Sequence, residues 1–421
     1  MNPYEITVEE LAAGNHRDYL LVDMRNDRQR EYGEVEGSIR VLPEELEAYP
    51  FPPGKTAVLI CARGVVSEEY AERLREEKGV DARSLSGGYP AWLRAGLQKQ
   101  TPDEVAARVE QSLKRRFRDK LTSKFTKALK EYRMISPGDK IAVCISGGKD
   151  SMLMAKLFQE LSRYSEVPFE AKFLVMDPGY NRENRQILEE NARNLKIPIT
   201  VFESNIFESV YEVEKSPCYL CARMRRGYLY RYAKELGCNK IALGHHYDDV
   251  IETVLMGMLY GAQIQTMMPK LHSTNFEGME LIRPLYLIRE EDIKAWRDAN
   301  GLHFLQCACK FTDTCASCDT QNRSKRQEVK ELIRDIKKVH PNVEKCIFKS
   351  VENVSLDAVI AYKKGGVRHH FLEDYDQRAR SESGAPDGPT DPKAPPITRK
   401  RLFKKPAQKS VSNLKKKGRK P

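Results

Sequence analysis

The chain has 421 residues, enough for two or three domains that each bury a core at roughly 100–200 residues per domain. No stretch reaches the ~18 consecutive apolar residues of a membrane helix, and MNPYEITVEELAAG lacks the basic-then-apolar order of a secretory signal, so no membrane association and a cytoplasmic address are expected. The net charge is +11, yet Arg378–Pro421 alone holds 14 Lys and Arg against 3 Asp and Glu, leaving 57 of each sign elsewhere; a neutral body with a cationic arm points to a polyanionic partner, nucleic acid first.

Residues 1–100 alternate short apolar runs with helical stretches. Asp18–Met24 (DYLLVDM) and Lys55–Ala62 (KTAVLICA) are expected as buried strands and Ser67–Gly79 as an amphipathic helix, together a small α/β domain. Cys61 ends a strand and opens the loop Cys61-Ala62-Arg63-Gly64-Val65-Val66-Ser67. Loop N–H groups and a helix N-terminus stabilise a thiolate or persulfide, and Arg63 adds positive charge, so Cys61 is a candidate catalytic residue. With Val22-Asp23-Met24-Arg25, Gly33-Glu34-Val35-Glu36-Gly37-Ser38-Ile39 and Gly87-Gly88-Tyr89-Pro90-Ala91-Trp92, the segment resembles a single-domain rhodanese. The resemblance implies a sulfur carrier charged as a Cys61 persulfide, its loop braced by Asp23 and Arg25. Val66 stands where many rhodaneses have Arg. A protein persulfide, from a cysteine desulfurase or another persulfide donor, is therefore expected as the sulfur source in place of thiosulfate.

Residues 101–135 read as a basic helical linker ending in the cationic run Lys114–Arg133, which suits a surface that meets RNA. From 136 to 345 strands and helices alternate. Ile141–Ile145, Glu170–Asp177, Pro198–Ser204 and Lys240–His246 are the strand candidates, so a doubly wound parallel sheet is expected. The first strand runs into Ser146-Gly147-Gly148-Lys149-Asp150-Ser151 and then a helix from about Met152. Glycines let backbone N–H groups approach a phosphate, and the helix N-terminus adds orphan donors and partial positive charge. Ser146 and Ser151 offer hydroxyls, Lys149 a point charge, and Asp150 a ligand for Mg²⁺ beside the pyrophosphate.

The spacing is not that of the G-x-x-x-x-G-K-[ST] P-loop. It resembles the SGGxDS loop of the pyrophosphate-loop (PP-loop) ATPases, of adenine-nucleotide α-hydrolase-like fold. The resemblance implies that ATP is split to AMP and pyrophosphate while a substrate oxygen is adenylated, with Asp150 catalytic. It places the adenine at the end of the second strand, Phe173–Asp177, so Asp177 is a candidate contact. Gly244-His245-His246-Tyr247-Asp248-Asp249 resembles the GHHxDD segment of these enzymes, at the carboxyl ends of the strands. His245 is a candidate phosphate contact, and Asp248 and Asp249 are candidates for Mg²⁺ or hydroxyls. A polar helix cap is the competing role for one of the two.

Ten cysteines read as a metal or redox set rather than a disulfide framework. Pro217-Cys218-Tyr219-Leu220-Cys221, followed by Arg223, Arg225 and Arg226, is by itself compatible with zinc, an iron–sulfur cluster or a redox disulfide. Together with GHHxDD, Pro284-Leu285 and a late cysteine, residues 110–335 resemble the tRNA 2-thiocytidine synthetases. That resemblance implies a 4Fe-4S cluster on Cys218, Cys221 and a distant third cysteine, Cys307 with Cys309 as the alternative. One iron is then left open for sulfide, and Arg223, Arg225 and Arg226 contact RNA. The chain departs from the pattern in also carrying Cys315 and Cys318. The four late cysteines could instead form a C-x-C-x5-C-x2-C zinc site, or Cys315 and Cys318 could relay sulfur. Cys144 and Cys238 are expected in the core.

The expected function is ATP-dependent tRNA thiolation: adenylation of a base, then sulfur insertion, giving 2-thiocytidine, with sulfur relayed from Cys61 through the cluster. ATP, Mg²⁺ and the 4Fe-4S cluster are the expected cofactors, tRNA and a persulfide donor the expected partners, and a homodimer is compatible with the reading. A 2-thiouridine-forming thiolase and a non-catalytic sulfur-carrier or RNA-binding protein are the alternatives. Residues 346–421 read as a C-terminal extension whose basic tail, from about 373, has too little apolar surface to fold.

Overall fold

The computed structural model describes residues 2–30, 33–98, 101–180, 182–204, 206, 217–305, 325–373 and 375, without the side chains of Arg28, Leu97, Gln98 and residues 217–222. Two compact units are present, Met1–Asn353 and Val354–Pro421.

The first unit begins with a five-stranded sheet, β1 (Glu5–Ile6), β2 (Tyr19–Asp23), β3 (Ile39–Arg40), β4 (Thr56–Ile60) and β5 (Ala82–Leu85), in the order β1-β5-β4-β2-β3. All its pairings are parallel; Tyr19 lies opposite Thr56 and Asp23 opposite Ile60. Ala57–Ile60 is buried throughout, as a central parallel strand covered on both faces requires. The helix after Cys61 starts at Val65, two residues earlier than expected, because Gly64 caps it in the left-handed region (φ 90°).

The second sheet holds β6 (Lys140–Ile145), β7 (Glu170–Asp177), β8 (Ile199–Glu203), β9 (Lys240–Ala242), β10 (Lys270–His272) and β11 (Glu280–Ile282), in the order β10-β11-β9-β6-β7-β8. Only edge strand β10 is antiparallel. The chain winds outward from β6 through β7 to β8, then returns to β9 on the other side of β6. The order reverses between β6 and β9, and that is where open α/β sheets bind ligands, beyond the carboxyl ends of the strands. The expected architecture is present: a small parallel α/β sheet in the N-terminal half and a doubly wound sheet in the second.

The basic segment after residue 100 is built into the core. Its helices Pro102–Lys114 and Ser123–Glu131 bury Val105, Ala106, Val109 and Leu113, and Phe125, Ala128 and Leu129, while their lysines and arginines face outward. Lys156, fully buried in the helix Lys149–Tyr164, fastens this segment: its Nζ donates to Glu110 (2.9 Å), Gln159 (2.7 Å) and the Leu195 carbonyl (3.1 Å). One apolar cluster runs from Ile60, Leu85, Tyr89 and Leu93 through Val105 and Val109 to Ile141, Val143 and Trp296. Cys144 and Cys238 are buried in a neighbouring cluster, as expected; burial pushes the Cys144 thiol up to about 12 and raises Cys238 too.

The helix Val343–Ser350 belongs to the first unit. The second unit contains the antiparallel hairpin β12 (Ala361–Lys364) and β13 (Val367–His370). Residues 376–421, which include nearly all of the basic tail, lie outside the described residues. Among the described residues no helix is long and apolar enough to cross a membrane.

Candidate active sites

Cys61 follows β4 at the carboxyl end of the first sheet and is 7% exposed. Its Sγ accepts from Gly64 N–H (3.0 Å), Ser67 N–H (3.4 Å) and the Ser67 hydroxyl (3.2 Å). These donors belong to the loop and the first turn of the helix Val65–Lys78, whose N-terminal partial charge favours an anionic sulfur. Ser84 on β5 supports the cradle from below, 2.7 Å from the Ser67 hydroxyl and donating to the Gly64 carbonyl (3.1 Å). Sequence reasoning missed Ser84, which looks like an ordinary strand residue. Val65 and Val66 form an exposed apolar lip beside the cysteine. Asp23 and Arg25 are buried and joined by two contacts of 2.8 and 2.9 Å; Arg25 also donates to the Gly33 carbonyl (2.8 Å) and lies over the Tyr89 ring. Tyr89 in turn donates its N–H to the Cys61 carbonyl (2.9 Å).

The nucleotide loop follows β6. Gly147 has φ 84°, and a Cβ there would meet Leu188 and Leu305 at 3.0 Å, so glycine is required both by conformation and by space. Ser151 turns its hydroxyl back into the loop, accepting from Ser146 N–H (3.1 Å) and donating to the Gly148 carbonyl (3.0 Å). The two serine hydroxyls, expected as phosphate donors, lie 3.2 Å apart and shape the loop. The helix begins at Lys149, earlier than expected, because Gly148 is extended and acts as its N-cap. Lys149 reaches Asp150 (3.2 Å) and Glu290 (3.1 Å). Asp150 Oδ1 is buried without a hydrogen-bond partner.

The GHHxDD segment lies beside this loop. Gly244 packs its Cα against the backbone of Ser151, where a Cβ would fall 3.2 Å away, so the two loops touch directly. His246 is the N-cap of the helix Tyr247–Gly261 and Asp249 closes a capping box with it (3.0 Å). Asp249 also pairs with Arg326 (2.7 Å). Burial opposes its charge, but His246 and Arg326 hold the carboxyl below its ordinary range. Asp248 is held by Arg289 (3.0 Å) and accepts from Glu290 N–H (2.6 Å). His246 Nε2 lies 3.9 Å from Asp150, which brings the two motifs within one shell. Burial lowers the pKa of His245 to about 4, so at neutral pH it is an uncharged hydrogen-bonding group. Asp177, at the end of β7, spends its acceptors on Gly179 N–H (2.8 Å), Tyr180 N–H (2.6 Å) and Arg185 (2.9 Å).

Four charged groups of this site were not singled out from the sequence. Glu290 bridges Lys149 and Lys330; burial opposes its charge, but Lys149, Lys330 and Lys294 hold it well below the carboxylate range. Arg326 and Lys330, from the helix Lys325–Val339, also approach Glu252 at 3.6 and 3.7 Å. Glu252 is 2% exposed, and burial pushes its pKa up to about 7. A lone acid inside Val250-Ile251-Glu252-Thr253-Val254-Leu255-Met256 was the available signal.

Cys218 and Cys221 fall in the first turns of the helix Pro217–Glu235. Their side chains, and Cys307, Cys309, Cys315 and Cys318 entirely, lie outside the described residues. Arg223 and Arg226 are exposed and Arg225 is half-buried on the same helix. The segment Leu302–Leu305, leading towards Cys307, touches both sites. His303 packs on the rhodanese side, where a Cβ at Gly33 would fall 2.6 Å from its Nδ1, and Leu305 N–H donates to the Gly147 carbonyl (3.3 Å).

Residues 7–95 match a family model described as a rhodanese-like domain, and residues 117–313 match one described as a PP-loop domain. Over 233 residues the chain is 36% identical to the tRNA-cytidine(32) 2-sulfurtransferase of Neisseria meningitidis serogroup C (strain 053442), covering 54% of this chain and 69% of that protein. The chain belongs to the tRNA-cytidine(32) 2-sulfurtransferase family. A second relative with that name, from Vibrio cholerae serotype O1 (strain M66-2), is 36% identical over 230 residues, covering 54% of this chain and 71% of the relative. Among solved structures the chain is similar to the U34-tRNA thiolase NcsA from Methanococcus maripaludis with its 4Fe-4S cluster, at 23% identity and a TM-score of 0.45, covering 56% of this chain and 78% of that one. In this member of the 2-sulfurtransferase family the PP-loop and rhodanese-like domains are parts of one polypeptide.

Proposed function

We propose that the chain thiolates tRNA at the expense of ATP, on cytidine as the relatives' name suggests, with Cys61 carrying the sulfur. The observation that carries the reading is the meeting of an anion-binding loop and a buried, unpartnered Asp150 oxygen at the reversal point of the second sheet. Backbone N–H groups of the loop and the helix starting at Lys149 hold the β- and γ-phosphates. The free Asp150 oxygen suits Mg²⁺, which takes one or two carboxylates beside substrate phosphates. Lys149 neutralises the pyrophosphate as it departs, exchanging Asp150 and Glu290 for phosphate oxygens.

The base oxygen at C2 attacks the α-phosphate, so an O–P bond forms and pyrophosphate leaves. Sulfur at the sulfide level then attacks C2, the C–O bond breaks and AMP leaves. Activation followed by displacement is the logic of covalent catalysis. The sulfur arrives as the outer atom of a Cys61 persulfide. Its release as sulfide takes two electrons, from a thiol reductant, and returns Cys61 as the thiolate. Three cysteine thiolates suit a 4Fe-4S cluster, which when bound supplies an open iron for sulfide; Cys218, Cys221 and Cys307, or Cys309 in its place, would hold it.

The full chain, given ATP, Mg²⁺, cytidine-containing tRNA, a persulfide source and a thiol reductant, should release pyrophosphate and yield 2-thiocytidine in digested tRNA by mass spectrometry. Pyrophosphate release without any thiolated nucleoside would sink the reading. Anaerobic protein should carry about four irons per chain and Cys218→Ala should lose them. Stoichiometric zinc without iron would replace the cluster with a zinc site.

A further inference from the structure

Arg283 has no place in the chemistry just described, yet it is placed as a ligand-binding group. It follows β11, whose Ile282 lies opposite Ala242 of β9, and the Ile282 carbonyl still accepts from Leu243 N–H (3.0 Å). Arg283 and the Gly244-His245 turn therefore leave the ends of adjacent parallel strands into the same crevice. Arg283 is 6% exposed and its guanidinium is anchored by one donation, from Nη1 to the Met268 carbonyl. Its Nε is buried without a partner, and so is Nδ1 of His245. Among the described residues no carboxylate forms an ion pair with Arg283. The group whose charge bears on it most is another guanidinium, Arg226; burial first, then this neighbour, draws the pKa of Arg283 down to about 10. A buried guanidinium with no ion pair and two unsatisfied nitrogens cost stability, and Asp249, the carboxylate whose charge bears on both Arg283 and His245, is already taken by His246 and Arg326, so the place calls for a further anion.

We propose that Arg283, Arg226 and His245 form an oxyanion site that takes one phosphodiester of the RNA, holding the nucleotide to be thiolated by its backbone on the sulfur side of the crevice. The assignment rests on the tRNA-modifying reading and deepens it. Position selects the RNA over the nucleotide. The PP-loop follows β6, and β9 lies between β6 and β11, so at about 4.8 Å per strand Arg283 starts roughly 10 Å from the loop that takes pyrophosphate. Arg226 comes from the helix that opens with Cys218 and Cys221, the side from which sulfur would arrive. Uncharged His245, as its Nδ1–H tautomer, donates to the same oxygen without adding charge. A guanidinium fork is the side chain best matched to two phosphate oxygens.

The test uses the full chain, an anticodon stem-loop RNA with a target cytidine, and ATP, in wild type, Arg226→Gln and Arg283→Lys, with thermal midpoints as a fold check. Each variant should bind the RNA roughly tenfold more weakly, the scale of one charge-assisted hydrogen bond. In Arg226→Gln the slope of log affinity against log salt should also fall by about 0.7, one single-strand phosphate, whereas Arg283→Lys, which loses the fork but keeps its charge, should leave the slope near that of wild type. ATP affinity should not change. Weakened ATP binding with RNA binding intact would move the phosphate to the nucleotide and overturn the RNA assignment. Unchanged RNA affinity and slope in folded Arg226→Gln would overturn the site outright, whether or not Arg283→Lys folds. RNA binding absent from wild type would fail the tRNA reading instead, a result distinct from either.

Discussion

Around Cys61 the donors are two backbone N–H groups and a serine hydroxyl, whereas Lys149 and Asp150 stand in a lattice of Glu290, Lys330, Glu252, Arg326 and Asp249. Uncharged donors serve a sulfur that changes form, because thiolate and persulfide are both bound without an ion pair to break. The nucleotide site is the opposite case. Its charges already pair with one another, so ATP binding must exchange ion pairs for phosphate contacts. The first site is built to keep its occupant's charge negotiable, the second to hold a fixed and large negative charge.

That contrast is tested most severely at Asp150. Asp150→Ala removes the one buried carboxylate oxygen left unpartnered in the loop, and pyrophosphate release should fall about 10²–10³-fold, the scale of losing one charge-stabilising group. RNA affinity should stay within about a factor of two, because the loop is assigned to pyrophosphate and not to RNA. Equal ATP turnover in the variant and wild type would mean that the oxygen serves no metal.

Cys61→Ser breaks the other half of the comparison. Iron content, ATP use and tRNA adenylation should be intact, since the cysteine is separated from the loop by Tyr89, Gly33 and the His303–Leu305 segment. Thiolation from a limiting persulfide donor should drop roughly 10²-fold, the lower end of what intramolecular delivery provides. Excess free sulfide should restore most of it. Full activity of the variant with the limiting donor would make the domain structural.

Much of this was legible in the sequence because it is local. Ser146–Ser151 declares its own strand, turn and helix, and Cys61-to-Ser67 declares its cradle. Glu290, Arg326 and Lys330 were not legible, since each reaches the site from a helix whose docking depends on tertiary packing. Arg283 hides beside Pro284-Leu285, where nothing in the sequence shows that it is buried. The charge run Lys114–Arg133 suggested a linker; its apolar positions at helical spacing, Leu113, Phe117, Leu121 and Phe125, were the signal that it packs.

Glu252 gives a smaller, pH-dependent test of the charged lattice. Its folded pKa of about 7 lies above the ordinary 4.5, so the folded protein holds a proton there more tightly than the unfolded chain does. The contribution is fully present below about 4.5 and is lost as pH rises through 7. Glu252→Gln removes it. Between about pH 5 and 8 the variant should lose less stability than wild type, by at most about 3 kcal/mol, read from urea midpoints. Parallel curves would place the proton elsewhere in the lattice.

The smallest effect concerns neither site. The Cys61 cradle uses uncharged donors and the nucleotide loop pairs its cations internally, so RNA affinity beyond the Arg226–Arg283 contact should depend on cations elsewhere. A surface groove of about 590 Å³ is lined by Arg118, Thr122, Ser123, Thr126, Lys127, Lys130 and Glu131. Lys127 and Lys130 are exposed there, over a rigid helix whose other face is core. Lys127→Glu with Lys130→Glu should weaken tRNA binding several-fold at low salt, and the salt slope should fall by about 0.7–0.9 for every phosphate that these lysines neutralise. Cys61 persulfide transfer and basal ATP hydrolysis should not change. Deleting Arg378–Pro421, which carries the chain's whole charge excess, is the matched control. If only the deletion lowers the slope, the groove meets no RNA and the tail gathers it for the crevice. If only the groove variant does, the tail serves solubility, and the RNA is docked by the exposed face of a helix whose other face packs in the core.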